Sequence, residues 1–328
     1  YEESARRSAG WLEGTLRQSW TAANRGDVDK AQYLLAWLYQ QMRRPWEAAV
    51  AAAYVVRTAD DDDTASEAAT LALGAWFTAW REATDDGAAE FEQVLAIARQ
   101  IETRWPQSDR GDLMRASVAE MLRDAGDLQR AGEWFLKVTP RSPQYAVCQI
   151  SGGLALWEAL RAERSQRQDF STIRKAEVER IRQPLSEGVK RLEASASPPE
   201  ELLCIAKVAL AGMALQLGEP REALRLLAEG KRSVVSLIAA PQEGERPSTG
   251  IQSNSYATGV YRLLLLAQLG DEKTDAALET LKQLESLSGD DPRALTTMYV
   301  QLVEQMAAGL DGADESRRAE IARAIDPL

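Results

Sequence analysis

Apolar positions along this chain recur at the spacing of an amphipathic helix. Leu113, Ala116, Met121 and Leu122, followed by Leu128, Ala131, Phe135 and Val138, illustrate the i, i+3, i+4, i+7 periodicity that gathers side chains on one helical face. Comparable runs follow one another with short polar breaks, period-two alternation is scarce, and alanine, leucine, arginine and glutamate dominate. The pattern predicts an all-α chain of roughly fourteen or fifteen helices. The breaks carry helix-starting chemistry: capping side chains at 60–64, Ser142-Pro143, and Ser197-Pro-Pro-Glu. Links this short favour antiparallel hairpins.

An internal repeat runs through the centre of the sequence. In Trp105-Pro-Gln-Ser108 and Thr139-Pro-Arg-Ser142 the prolines and the serines each stand 34 residues apart, and Ala119 with Gly153 and Leu122 with Leu156 continue that register. A second recurrence is a glycine, an acidic residue, and an alanine five after the glycine. It occurs at Gly26-Asp27 with Ala31, Gly126-Asp127 with Ala131 and Gly218-Glu219 with Ala223, while Gly270-Asp271 with Ala276 matches with one residue added. Glycine can close a helix in left-handed backbone, the acidic residue can cap the next helix, and alanine lets the two approach. Each occurrence is therefore expected to be a hairpin turn.

These residues carry a family resemblance. The 110–143 stretch resembles a tetratricopeptide repeat through Ala119, Leu122, Gly126, Ala131, Phe135, Val138 and Pro143. A second copy, from about 204 to 235, matches through Ala211, Ala214, Gly218, Ala223, Leu227 and Gly230. A looser third, 35–58, matches through Ala36, Tyr39 and Ala48, with Pro45-Trp46 in place of the glycine turn. The Pro-x-Ser punctuation is similar to that of bacterial cell-envelope members of the family. The resemblance implies an α/α superhelix, or solenoid, of antiparallel helix pairs whose first helices line a concave groove. In the two best repeats it turns Glu120, Arg123 and Asp124, then Ile150, Leu154, Trp157 and Glu158, toward that groove as expected partner-binding residues. An aromatic anchor beside charges of both signs suits a peptide-binding surface.

The period fails over the charged stretch 161–171. A helical face of Ile173, Ala176, Ile181, Leu185, Val189 and Leu192 follows, which Pro184 is expected to kink or restart. All nine tryptophans lie between Trp11 and Trp157, most of them expected to pack between helices. Three segments result: a Trp-rich helical array at 1–160, charged connecting helices at 161–200, and a second array at 201–328 holding a linker-like loop at 240–250. The chain starts at Tyr1 without a basic-then-apolar leader, so it reads as a piece of something longer. Only eight of its 39 basic residues are lysine, a bias that fits a GC-rich bacterial genome and leaves periplasm, envelope and cytoplasm all open.

Composition narrows the chemistry. None of the 328 residues is histidine, which excludes every mechanism built on a histidine base or ligand. With 50 acidic against 39 basic residues the chain is a poor match for nucleic acid, whose backbone is bound by clustered cations. Cys148 and Cys204 sit in apolar helical surroundings as small buried hydrophobes, and no apolar run approaches the roughly 20 residues that span a bilayer. Phosphate-cradling and nucleophile motifs are missing. The acidic run 60–63 lacks the alternating ligand spacing of a calcium loop and reads as helix capping. Arg25-Gly-Asp27 and Arg110-Gly-Asp112 spell an adhesion tripeptide, yet capping explains them better. Asp85-Asp86 and Asp290-Asp291 are the carboxylate pairs that an α/α-toroid hydrolase or lyase would need, although both adjoin glycine or proline.

The expectation is thus a non-catalytic scaffold, without metal or cofactor, that holds a protein or peptide in its groove. A basic partner segment is favoured by electrostatic steering. The toroid enzyme and a self-associating structural repeat protein are the alternatives.

Overall fold

The computed structural model describes residues 2–17, 25–84, 87–167, 175–239 and 249–288, and among them all regular structure is helical. The chain divides into two compact units, Tyr1–Ala159 and Leu160–Leu328. Unit 1 holds α1 (Glu2–Leu16), α2 (Arg25–Gln41), α3 (Pro45–Thr58), α4 (Asp62–Glu82), α5 (Ala88–Arg104), α6 (Asp109–Asp124), α7 (Leu128–Leu136) and most of α8 (Tyr145–Arg167). Unit 2 holds the end of α8, then α9 (Lys175–Glu193), α10 (Glu200–Gln216), α11 (Pro220–Ala228), α12 (Val234–Leu237), α13 (Asn254–Gly270) and α14 (Thr274–Ser288). Asp85-Asp86, Asp290-Asp291, Ile173, Trp20 and most of the 240–250 loop lie outside the described residues.

Within each unit the helices pack on their sequence neighbours, the solenoid-like all-α arrangement expected of short-linked hairpins. First helices of successive pairs also touch: α2 meets α4 and α4 meets α6 in unit 1, and α10 meets α13 in unit 2. Alanines allow this spacing. Ala48, Ala49 and Ala52 on α3, with Ala65, Ala68, Ala69 and Ala72 on α4, are fully buried, so the two backbones approach closely. Larger side chains, among them Leu73, Ile101, Leu122 and Phe135, fill the remaining interior. Helices α7 and α8 also approach closely, so that a Cβ on Gly132 would stand 2.5 Å from Leu156 and one on Gly152 would stand 2.8 Å from Leu136. Of the tryptophans, Trp76, Trp105, Trp134 and Trp157 are buried between helices, whereas Trp11, Trp37 and Trp46 are exposed.

One turn geometry recurs four times. Arg43, Gly126, Gly218 and Glu272 have left-handed backbone, with φ of 56°, 80°, 74° and 61°. In each case the following N–H donates to a carbonyl five residues back: Arg44 to Tyr39 at 3.0 Å, Asp127 to Leu122 at 2.9 Å, Glu219 to Ala214 at 2.8 Å and Lys273 to Gln268 at 2.9 Å. The left-handed residue itself donates three back, to Gln40, Arg123, Leu215 and Leu269. Both bonds satisfy carbonyls that the ending helix would otherwise orphan. Five residues past each turn stands a buried alanine: Ala48, Ala131, Ala223 and Ala277.

This geometry corrects two of the expected turns. Gly26 lies inside the first turn of α2 and closes nothing. Gly270 is the last residue of α13, and the turn falls at Glu272 with Ala277, which restores the five-residue spacing without an inserted residue. Gly270 is small for another reason, because a Cβ there would stand 2.9 Å from Pro220. The repeat ends where no such turn forms. Leu160 stands seven residues after Gly153, as Gly126 does after Ala119, but α8 runs straight on to Arg167.

Helix starts also differ in detail from expectation. Pro45 and Pro220 are the first residues of α3 and α11, whereas Pro143 precedes α8 by two residues and Pro199 is the cap of α10. Helix α9 continues through Pro184 rather than restarting, and buries Val178, Ile181, Leu185, Val189 and Leu192. Asp61 caps α4, accepting from the Thr64 amide at 2.9 Å and the Thr64 hydroxyl at 2.6 Å. Its neighbours Asp62 and Asp63 pair with Arg104 and Arg110.

Candidate functional site

The seven expected partner-binding residues lie on α6 and α8, and burial separates them into two groups. Ile150 is fully buried and Trp157 is 7 % exposed, so neither is displayed to a partner. Glu120 and Leu154 are half-buried, and Arg123, Asp124 and Glu158 are exposed. The physical reason is a rotation of one residue about the helix axis. Ile150 and Trp157 share a stripe that turns inward, while Leu154 and Glu158 belong to the adjacent stripe that stays accessible.

That accessible stripe begins with Leu113, which the periodicity grouped with the apolar face of its helix but which the fold exposes, and with Val147. On α6 it runs Leu113, Ser117, Glu120, Asp124, and on α8 it runs Val147, Ser151, Leu154, Glu158, each member 34 residues from its counterpart. Leu113 is 55 % and Val147 38 % exposed, two large apolar side chains at equivalent register positions. The repeat itself was the available signal, since both residues sit six before the small residue of their helix, Ala119 or Gly153. Arg123 is held at the edge of the α6 stripe by an ion pair with Glu120, its guanidinium 5.9 Å from the centre of the Phe135 ring. The α8 backbone lies near enough to α6 for Glu120 and Asp112 to act on Cys148. Burial pushes that thiol up to about 11, and the two carboxylates add to the effect.

Beneath the stripe a buried ion pair fixes both ends of the repeat. Asp112 and Arg115 are 1 % and 3 % exposed and meet at 2.9 Å. Arg115 donates to the carbonyls of Trp105 and Pro106, both at 2.7 Å. Asp112 accepts from the Thr139 amide at 3.0 Å and the Thr139 hydroxyl at 2.5 Å. The two punctuation loops that the sequence repeats at 105 and 139 are thereby tied to one helix turn. Asp112 in the second Arg-Gly-Asp tripeptide is therefore committed to the interior and unavailable for adhesion. Gly111 is required there, because a Cβ would stand 2.2 Å from the Trp105 carbonyl oxygen.

Both cysteines are buried, with thiols raised by burial. Among the described residues no group of three or more Cys, Asp or Glu side chains is placed to hold a metal ion. No described helix is long and apolar enough to cross a membrane. No protein-family model matches the chain, and no curated protein matches it either.

Proposed function

We propose that this chain is a non-catalytic contact protein of tetratricopeptide-like hairpins, and that the accessible stripes of α6 and α8 hold a protein or peptide partner. The observation that carries the reading is the pair Leu113 and Val147, exposed apolar residues at one register position on successive first helices. An apolar centre with a polar rim is the usual anatomy of a binding patch. Arg123, the only cation among the expected residues, and Glu120 offset each other as an ion pair, and Asp124 and Glu158 leave the rim acidic. A partner segment rich in lysine or arginine is favoured by this balance.

The test is capture of partners in the native cell by the wild-type chain and by the double variant Leu113→Asp, Val147→Asp. Both positions are exposed, so helicity should be unchanged. Recovery of the partner should fall by about tenfold or more, the effect of losing an apolar anchor. Unchanged recovery would remove the assignment. Recovery of this chain alone, with light scattering that grows with concentration, would give the face to self-association.

A further inference from the structure

We infer that unit 2 carries a separate binding cleft, between α10 and α13, for a peptide segment that sets a bulky apolar side chain next to a lysine or arginine. The inference rests on reading the chain as a contact protein, but no residue of unit 1 lines the cleft. The cleft has a volume of about 640 Å³, well inside the range of about 300–1,000 Å³ typical of ligand pockets. One wall is the α10 stripe Glu201, Ile205, Val208. The facing wall is the α13 stripe of Tyr256, Gly259, Val260 and Leu263, and Thr249 and Ile251 also line the cleft.

The turn register explains why this space is open. Leu113 stands 13 residues before the left-handed Gly126, Ile205 stands 13 before Gly218, and Gly259 stands 13 before Glu272. The position that is a projecting Leu113 in unit 1, and a 36 % exposed Ile205 on α10, has no side chain on α13. Among the described residues a Cβ built on Gly259 meets nothing within 4 Å. The glycine is therefore required neither by backbone conformation nor by close packing. It leaves a vacancy beside Ile205 that a partner's side chain can fill.

Charge and hydrogen bonding name the occupant. Among the described residues Glu201 is the one charged side chain that lines the cleft, it is exposed, and no cation pairs with it. Among the described residues no lysine or arginine lines the cleft, so a ligand ammonium or guanidinium is attracted to the Glu201 carboxylate. On the α13 side the Tyr256 hydroxyl accepts from the Cys204 thiol at 3.8 Å, which leaves its own proton to donate to a carbonyl. Apolar floor, hydroxyl donor and carboxylate rim match the side chain, backbone carbonyl and basic residue of a short extended peptide.

The probe is a set of fluorescein-labelled hexapeptides, Ser-Lys-X-X-Ser-Gly with X as Leu, Ile or Phe, together with the same set carrying Glu in place of Lys. Anisotropy with the full chain should show binding of a lysine peptide, with its glutamate counterpart about tenfold weaker. Glu201→Lys, at an exposed site, should invert that preference. Gly259→Leu should abolish binding of both sets without lowering the thermal midpoint, since leucine favours a helix interior more than glycine. Failure of every peptide to bind, equal binding of the two sets, or binding that survives Gly259→Leu would overturn the inference. Loss of partner capture in the unit 1 variants alone would leave it standing, so the two readings fail separately.

Discussion

The α6–α7 hairpin of unit 1 and the α10–α11 hairpin of unit 2 share one register at a separation of 92 residues. Ala119 and Ala211, Gly126 and Gly218, and Ala131 and Ala223 take the same places around the same turn. The register extends to a buried cation, Arg115 in one unit and Lys207 in the other. Their partners differ. Arg115 reaches back to the loop before its helix and meets a buried carboxylate, while Lys207 reaches the Arg232 carbonyl at 2.6 Å, beyond α11, and the half-exposed Glu193 at 2.5 Å. A helical scaffold thus fixes where a side chain emerges, and the loops around it decide what that side chain does. The same holds on the outer face, where one register position supplies a projecting Leu113 in unit 1 and the open Gly259 in unit 2.

Substitutions can break this comparison at its strongest point. Arg115→Met would leave Asp112 buried without its cation, at a cost of about 3–5 kcal/mol. Lys207→Met abandons only a carbonyl and an accessible carboxylate, at a cost of about 1–3 kcal/mol. Urea unfolding followed by circular dichroism measures both. Tryptophan fluorescence isolates the first, because every tryptophan lies in unit 1. Equal losses would mean that the register position, and not its surroundings, sets the energy.

A smaller contrast comes from glycine. Gly132→Ala drives a methyl group toward Leu156 and the Gly152 carbonyl oxygen, with a cost of about 1–3 kcal/mol from overpacking. The same change at Gly212, where a Cβ meets nothing within 4 Å, should instead stabilise α10 by about 0.5–1 kcal/mol. Opposite signs in thermal unfolding are the expected result, and a common sign would show that the α7–α8 contact yields. Arg43→Gly should stabilise unit 1 by up to about 1 kcal/mol, by relieving a side chain held in left-handed backbone. A fall in the fluorescence-detected midpoint would show that the Arg43 side chain contributes more than its backbone costs.

Much of the fold was legible in the sequence because its causes are local. Periodicity, alanine-rich faces and the glycine turns at 126 and 218 each act within a few residues, and the burial of Cys148 and Cys204 followed from their apolar flanks. The turns at Arg43 and Glu272 were not legible, because residues with a Cβ there offer no sign of left-handed backbone. Two helix-ending hydrogen bonds and a buried alanine, Ala48 or Ala277, hold them in place. The candidate site was legible only in part for a related reason. Helical spacing located the α8 residues from 150 to 158, but it could not tell which of two neighbouring stripes faces inward.

The sequence by itself determined that the chain is helical, that its helices pair through short turns, and that none of its 328 residues supplies an imidazole. These follow from backbone preference and composition, which need no partner in space. Tertiary structure alone decided that Ile150 and Trp157 face inward while Leu113 and Val147 face out, and that Gly259 opens a cleft beside Ile205. Burial and vacancy belong to the helices that pack alongside, and no segment can specify its neighbours by its own period.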